Sequence, residues 1–203
     1  MALFKILVKG YARLVGRNSY VASPNTVLIQ DSGKNVLVDP GANARRLKSS
    51  LARHRIKKSD VDLIFLTHYH PDHILNIRLF PDTLLCDGYS IYHGDRAEAH
   101  ASRYLPGTHI EIIRTPGHSP GHSSLLFQTD SGRYAVAGDV FSWYDDQIPN
   151  YDLPSLIALP DPFAQDMDAL KTTRRYLLEI ADWIIPGHGR PFPSPLRYTP
   201  GPG

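Results

Sequence analysis

The chain is poor in the features that would assign it elsewhere. It has one cysteine, two methionines and a formal net charge of only +2 from 22 Lys and Arg against 20 Asp and Glu. The lone thiol, Cys86, cannot close an internal disulfide, so stability must come from a packed core, and a reducing, cytoplasmic location is the default. At 203 residues such a core is within reach. No run approaches the roughly 18 apolar residues of a membrane span. The stretch Met1–Tyr11 is broken by Lys5 and Lys9 and reads as a first strand, since a signal peptide needs a longer apolar run. Bulk charge is too weak to argue for nucleic acid. Repeats and internal linkers are missing as well, which predicts one domain over 1–203. A Pro- and Gly-rich tail at 191–203 should dock on its own domain or across a homodimer.

What the chain does have is histidine, and the histidines are grouped. Thr67-His68-Tyr69-His70-Pro71-Asp72-His73 follows the apolar run Leu63-Ile64-Phe65-Leu66, which reads as a buried strand. Pro71 should end regular structure, leaving the ligand types on a tight loop at the strand's end. Alternate positions can then point one way (His68, His70) and the next pair another (Asp72, His73). A lone histidine is usually an ordinary hydrogen-bonded residue. Three with an aspartate, buried without a cation, would leave several unpaired polar groups.

The same grammar recurs three times: apolar strand, small or rigid residue, then a ligand type. Ile110-Glu111-Ile112-Ile113-Arg114 leads to Thr115-Pro116-Gly117-His118. Tyr134-Ala135-Val136-Ala137-Gly138 ends in Asp139, and Trp183-Ile184-Ile185-Pro186-Gly187 ends in His188. Strand ends along one edge of a sheet are where α/β proteins build sites.

Taken in order, His68-x-His70-x-Asp72-His73, His118, Asp139 and His188 resemble the ligand set of the metallo-β-lactamase superfamily, from Leu37-Val38-Asp39-Pro40-Gly41 to Pro186-Gly187-His188-Gly189. The resemblance implies a four-layer αββα sandwich with two divalent metal ions at one edge of the sheets. Zinc is the first choice, and iron or manganese also accept this N/O set. It places His68, His70 and His118 on one metal, Asp72, His73 and His188 on the other, and Asp139 between them. Asp39 and His122 become supporting residues that steady the ligands. Gly10-Tyr11-Ala12, Leu79-Phe80-Pro81, Arg103-Tyr104-Leu105-Pro106 and Ala137-Gly138-Asp139-Val140-Phe141 are similar to the subgroup named for metallo-β-lactamase domain-containing protein one. That subgroup brings nucleic-acid cleavage into view.

The implied activity is hydrolysis by a water held between two cations, with Asp72 orienting it or moving its proton. Asp139 sets the chain apart from the lactamase subclasses, which generally lack the bridging aspartate. The 48 residues between Asp139 and His188 (140–187) are too few for the inserted domain of RNA-processing relatives. The expected substrate is therefore a small ester, lactone or phosphoester. A metal-dependent nuclease is the alternative, and a purely structural metal site is a distant third.

The remaining pattern predicts strands at Phe4–Val8, Thr26–Gln30, Asn35–Val38, Thr83–Cys86, Ile110–Arg114, Ser123–Thr129 and Arg133–Ala137. It predicts helices over Ala44–His54, near His73–Leu79 and from an N-cap at Asp166. Three long segments, Gly10–Pro24, Asp87–His109 and Val140–Gln165, should surround the substrate. Tyr11, Arg13, Arg17, Phe141 and Trp143 are the candidate substrate contacts. Arg96, Arg103 and Arg190 join Arg13 and Arg17 as phosphate contacts if the substrate is nucleic acid.

Overall fold

A computed structural model describes residues 1–17 and 19–197. Asn18 of the first long segment and the 198–203 part of the expected tail lie outside the described residues. The chain opens with strands β1 (Leu3–Val8), β2 (Tyr11–Gly16), β3 (Ser19–Ser23), β4 (Thr26–Asp31) and β5 (Lys34–Val38), then helix α1 (Ala44–Arg53). Strand β6 (Leu63–Phe65) leads into a helical turn α2 (Pro71–Ile74). Next come β7 (Leu84–Cys86), β8 (Ser90–His93), β9 (Arg96–Ala99), β10 (Glu111–Arg114), β11 (Ser123–Thr129) and β12 (Gly132–Ser142). Helices α3 (Leu153–Ile157) and α4 (Met167–Ile180) precede β13 (Trp183–His188) and β14 (Phe192–Pro193).

Two large sheets result, one in the order β1-β4-β5-β6-β7-β8-β9 and one in the order β10-β11-β12-β13-β14. Alternation explains why they stack. In β4, Val27 and Ile29 face the space between the sheets while Leu28 faces the helix side; β5 splits Val36 and Val38 from Leu37 in the same way. In the second sheet Leu125, Phe127, Val136 and Ile185 meet them, while Leu126, Ala135, Ala137 and Ile184 face α3 and α4. Both faces of each central strand are buried, hence the nearly continuous apolar runs. α1 covers the first sheet with Leu47 and Leu51, and α4 the second with Leu170, Leu177 and Leu178. The layers are α, β, β, α. Cys86 lies in the central core, where burial pushes its thiol up to about 12.

β5, β6 and β7 run parallel, as do β12 and β13, so their carboxyl ends lie on a common edge. The helix expected near His73–Leu79 begins earlier, because Pro71 occupies its first turn, where a missing N–H costs nothing. Asp166 caps α4, its Oδ1 accepting from the N–H groups of Asp168 (3.0 Å) and Ala169 (2.9 Å).

Three expectations need correction. The strand placed at Arg133–Ala137 continues to Ser142. Gly10–Pro24 is largely the hairpin β2–β3, and Asp87–His109 contains the hairpin β8–β9, which extends the first sheet. Period-two alternation is weak in both hairpins because they are half-exposed, so a reading by pattern returned loops. The described part of the tail is β14, paired antiparallel with β13, followed by Ser194, whose hydroxyl donates to Leu178 O (2.5 Å).

Phe192 anchors this last strand against Phe141, Trp143 and Tyr151, with ring centroids 5.4, 5.6 and 4.9 Å away. Phe192→Ala should therefore destabilise the protein by about 3–5 kcal/mol, as buried aromatic truncations do. Urea unfolding measures it; an unchanged midpoint would show that β14 adds nothing to the core.

Candidate metal centre

The carboxyl edge brings the seven expected residues together. Imidazole and carboxylate atoms of His68, His70, His118 and Asp139 form one group that could hold a metal ion, and those of Asp72, His73 and His188 form a second. Within each group the atoms lie within 4.8 Å of one another. Asp139 faces both. Its Oδ1 is 3.4 Å from His73 Nε2 and 3.6 Å from His188 Nε2, while Oδ2 is 3.7 Å from His118 Nε2. Asp72 Oδ2 lies 3.2 Å from His188 Nε2. Tyr69, between two of the histidines, turns away and donates its hydroxyl to Asp87 Oδ2 at 2.5 Å.

Each of four rings is oriented by an acceptor on its outer nitrogen. His73 Nδ1–H donates to Asp39 Oδ2 (2.8 Å), and His68 Nδ1–H to Thr67 Oγ1 (3.0 Å). His118 Nδ1–H donates to Asp161 Oδ2 (2.7 Å), and His188 Nδ1–H to the Tyr11 carbonyl (3.0 Å). Those bonds fix the tautomers and leave the inner nitrogens as lone-pair donors. Asp39 also accepts from Thr67 N (2.9 Å) and Thr67 Oγ1 (2.7 Å), so one carboxylate steadies both His68 and His73. It does so from a left-handed backbone with φ of 44°, a conformation aspartate tolerates better than most residues.

Asp139 is aimed by an irregularity in β12. The register with β13 shifts on either side of Gly138, whose φ is 51°. Such a bulge re-aims a side chain without ending the strand. The Asp139 N–H donates to His122 Nε2 (3.2 Å), His122 Nδ1–H to Thr115 Oγ1 (2.8 Å), and Thr115 in turn to Ser124 Oγ (2.9 Å). Burial, and then the neighbouring His118, push His122 down to about 3, so it stays neutral and serves as this acceptor. A Cβ at Gly187 would lie 1.8 Å from Asp139 Oδ1, so only glycine leaves the carboxylate room. Asn25 ties that loop down through Pro186 O (2.8 Å) and Gly189 O (2.9 Å).

The donor set fits a cation. His68 Nε2 is buried without a hydrogen-bond partner, and His73 Nε2 and Asp139 Oδ1 face each other at 3.4 Å, an arrangement that a metal ion would satisfy better. Burial disfavours the charged form of His73, yet the carboxylates of Asp139 and Asp39 outweigh it and hold its pKa well above 6.5. Against the same burial, Asp139 and then Asp72 raise His188. Asp139, although buried, is held well below the usual carboxylate range by His188 and His73. His68 goes the other way, lowered by burial and by His73. Protons on His73 and His188 stand where a metal would sit.

A cavity of about 660 Å³ opens over these groups. Of the expected substrate contacts, Trp143 lines it. Phe141 does not: with β12 running on to Ser142, its ring is buried against Trp143 and Phe192. Tyr11 spends its hydroxyl on Asn43 and its ring face on Arg46, and serves the centre through its carbonyl. Arg13 and Arg17 are exposed on the β2–β3 hairpin and do not line the cavity. Tyr20, Tyr144, Phe163 and Met167 line it instead. Asp161 is not legible from the sequence because it stands 43 positions along the chain from His118. Its setting between Pro160 and Pro162 was the available signal.

Residues 20–113 match the family described as the metallo-beta-lactamase superfamily. The chain is 33% identical to metallo-beta-lactamase domain-containing protein 1 of Xenopus laevis, over 92% of its own length and 79% of that protein's. It belongs to the metallo-beta-lactamase superfamily. The fold agrees. A Thermotoga maritima protein whose name places it among the metallo-beta-lactamases aligns with a TM-score of 0.69 at 17% identity, over 95% of this chain and 99% of that one. AidC, a dizinc quorum-quenching lactonase, aligns with a TM-score of 0.56 at 17% identity, over 83% and 74%. Against these superfamily members the likeness is one of fold.

Two outcomes follow from the geometry. Because the carboxylates hold His73 well above, and His188 above, the usual imidazole value, metal competes with protons at both; uptake near neutral pH should release protons, and affinity should rise with pH until they are gone. Zinc titrated calorimetrically into metal-free protein, in buffers of different ionisation enthalpy, reads the count; a buffer-independent heat would contradict it. Asp161→Asn should weaken metal binding by roughly 10–100-fold, the scale of outer-shell changes. Competition with a chelator measures the loss.

Proposed function

We propose that the chain, a metal-dependent hydrolase by family, uses two metal ions to cleave small ester, lactone or phosphoester substrates. The observation that carries this reading is the convergence of seven imidazole and carboxylate groups, five of which (His70, Asp72, His118, Asp139 and His188) line a cavity of about 660 Å³. His68, His70, His118 and Asp139 would hold one ion, and Asp72, His73 and His188 the other, with Asp139 shared. Zinc is the first candidate for this nitrogen and oxygen set. Two divalent cations supply the Lewis acidity that polarises a carbonyl or phosphoryl oxygen and brings the ionisation of water near neutral pH.

The protein's own groups do the rest. Asp72 is the more exposed of the two cluster carboxylates, at 20% of its side chain against 9% for Asp139, and it reaches the cavity. Although burial raises its pKa, the His188 hydrogen bond and the His73 charge lower it overall, so it stays ionised and can orient a water by accepting its hydrogen bond. Trp143, Phe163 and Met167 give the cavity apolar walls that hold the body of a substrate and shed water. A metal that only stapled the fold would have no use for that opening.

Size and charge support a small substrate over a nucleic acid. Arg96 is paired with Glu98 and Arg103 with Glu111 on the surface, and neither lines the cavity. Arg13 and Arg17 stand apart from the cavity wall. The lactonase AidC shares the fold, which agrees with ester-type chemistry.

Asp139→Ala should lose far more turnover than the roughly 10–100-fold of an outer-shell change, with the fold kept. Elemental analysis of the metal-loaded protein should give two ions per chain, and hydrolysis of neutral esters or lactones should barely respond to salt. One ion at saturation would sink the two-metal reading. Activity confined to RNA, falling steeply with salt, would replace the small substrate with a nucleic acid.

A further inference from the structure

One charged group at the cavity has no role in what has been described. Arg174, on α4, is only 1% exposed, yet it forms part of the cavity wall. Its Nε–H donates to Val140 O (2.8 Å), and Nη1 donates to Ile157 O (3.2 Å) and Leu159 O (2.5 Å). Nη2 has no hydrogen-bond partner, and the guanidinium has no ion-pair partner, among the described residues. Burial lowers the group to about 10, so it remains a cation at neutral pH. The one carboxylate felt by that charge is Asp161, and its Oδ2 is already committed to His118 Nδ1 at 2.7 Å.

A guanidinium taken out of water is unfavourable, and three carbonyl dipoles, the Asp161 charge and the Phe141 ring, whose centroid lies 5.9 Å from the guanidinium carbon, offset this only in part. They also hold it rigidly, with the charge already desolvated. A rigid, desolvated cation at a cavity wall is a preorganised receptor for an anion. Its place relative to the cluster is set by the chain: Val140 directly follows Asp139, and Leu159 stands two residues before Asp161. Apolar Trp143, Phe163 and Met167 line the same cavity. A short molecule could thus keep a hydrolysable group at the cluster, an apolar middle against these residues and a charged end at the guanidinium.

We propose that Arg174 receives a carboxylate on the substrate, making the natural substrate a short acyl ester or related compound with an anionic end. This rests on the hydrolase reading and narrows it. With only Nη2 free, the two-nitrogen fork that grips carboxylate or phosphate is not on offer, so the contact is a single charge-assisted hydrogen bond, which one carboxylate oxygen fills.

The test compares 4-nitrophenyl hydrogen glutarate with 4-nitrophenyl pentanoate, which has the same acyl chain without the charge, on zinc-loaded enzyme. The glutarate should be favoured in kcat/KM by at least about tenfold, chiefly through KM, the scale of one charge-assisted hydrogen bond. Arg174→Met should bring the ratio to within about twofold of one, and Arg174→Lys should restore part of it. Calorimetry on metal-free protein gives a second readout: monomethyl glutarate should bind wild type at least about tenfold more tightly than dimethyl glutarate, a preference lost in Arg174→Met. A wild-type ratio near one, or a ratio untouched in Arg174→Met, overturns the proposal. Should Arg174→Met not fold, the wild-type and Arg174→Lys ratios decide. If neither ester is hydrolysed, the hydrolase reading fails by itself, and the metal-free binding comparison still decides the role of Arg174.

Discussion

Four imidazoles aim their inner nitrogens at one region because four acceptors hold their outer ones. Asp39, Thr67, Asp161 and the Tyr11 carbonyl come from four separate stretches of chain. Each bond selects one tautomer, and together they leave buried donor atoms that the protein does not satisfy. Much of the site's architecture serves that arrangement. The Asn25 clamp holds the His188 loop, the His122–Thr115–Ser124 chain fixes the backbone of Asp139, and Gly187 makes space for its carboxylate.

The sandwich is what makes such a gathering possible. β5, β6 and β7 in one sheet, and β12 and β13 in the other, deliver their carboxyl ends to a common edge while both faces of each strand are buried. Side chains leaving those ends are therefore positioned by elements that cannot shift without opening the core. The position has a cost in conformation. Asp39 sits at φ 44° and Gly138 at φ 51°, both where most L residues are strained. Strain of this kind persists when the surroundings over-determine it, and here the surroundings are two packed sheets.

Legibility in the sequence followed chain distance and periodicity. His68, His70, Asp72 and His73 sit in one short string, so they could be read together; His118, Asp139 and His188 each follow an apolar strand and a glycine. Asp161 shares no periodic segment with His118 and meets it only in three dimensions. Phe141 was misread because Gly138 looks like a strand terminus, when it is an irregularity inside a strand that runs on to Ser142. Tyr11 lies beside the centre, but through its carbonyl, an atom every residue carries and no motif can reveal. Arg174 hid for a similar reason: on a helix it reads as a solvated charge, and only packing shows it inside the wall.

The electrostatics of the cavity then follow from its parts. In the metal-free protein the carboxylates of Asp139, Asp39 and Asp72 favour protons on His73 and His188. Two divalent cations would add four positive charges and expel those protons, which leaves the floor of the cavity more positive than before. Asp161, whose carboxylate is turned to His118, offsets part of that charge. Such a floor favours a substrate that brings negative charge or develops it during hydrolysis, as an acyl or phosphoryl oxygen does. The apolar walls raise the effect, since a charge screened from water is felt more strongly. The cluster and the buried guanidinium thus act in the same direction, and the carboxyl edge of the sheets fixes where that field is felt.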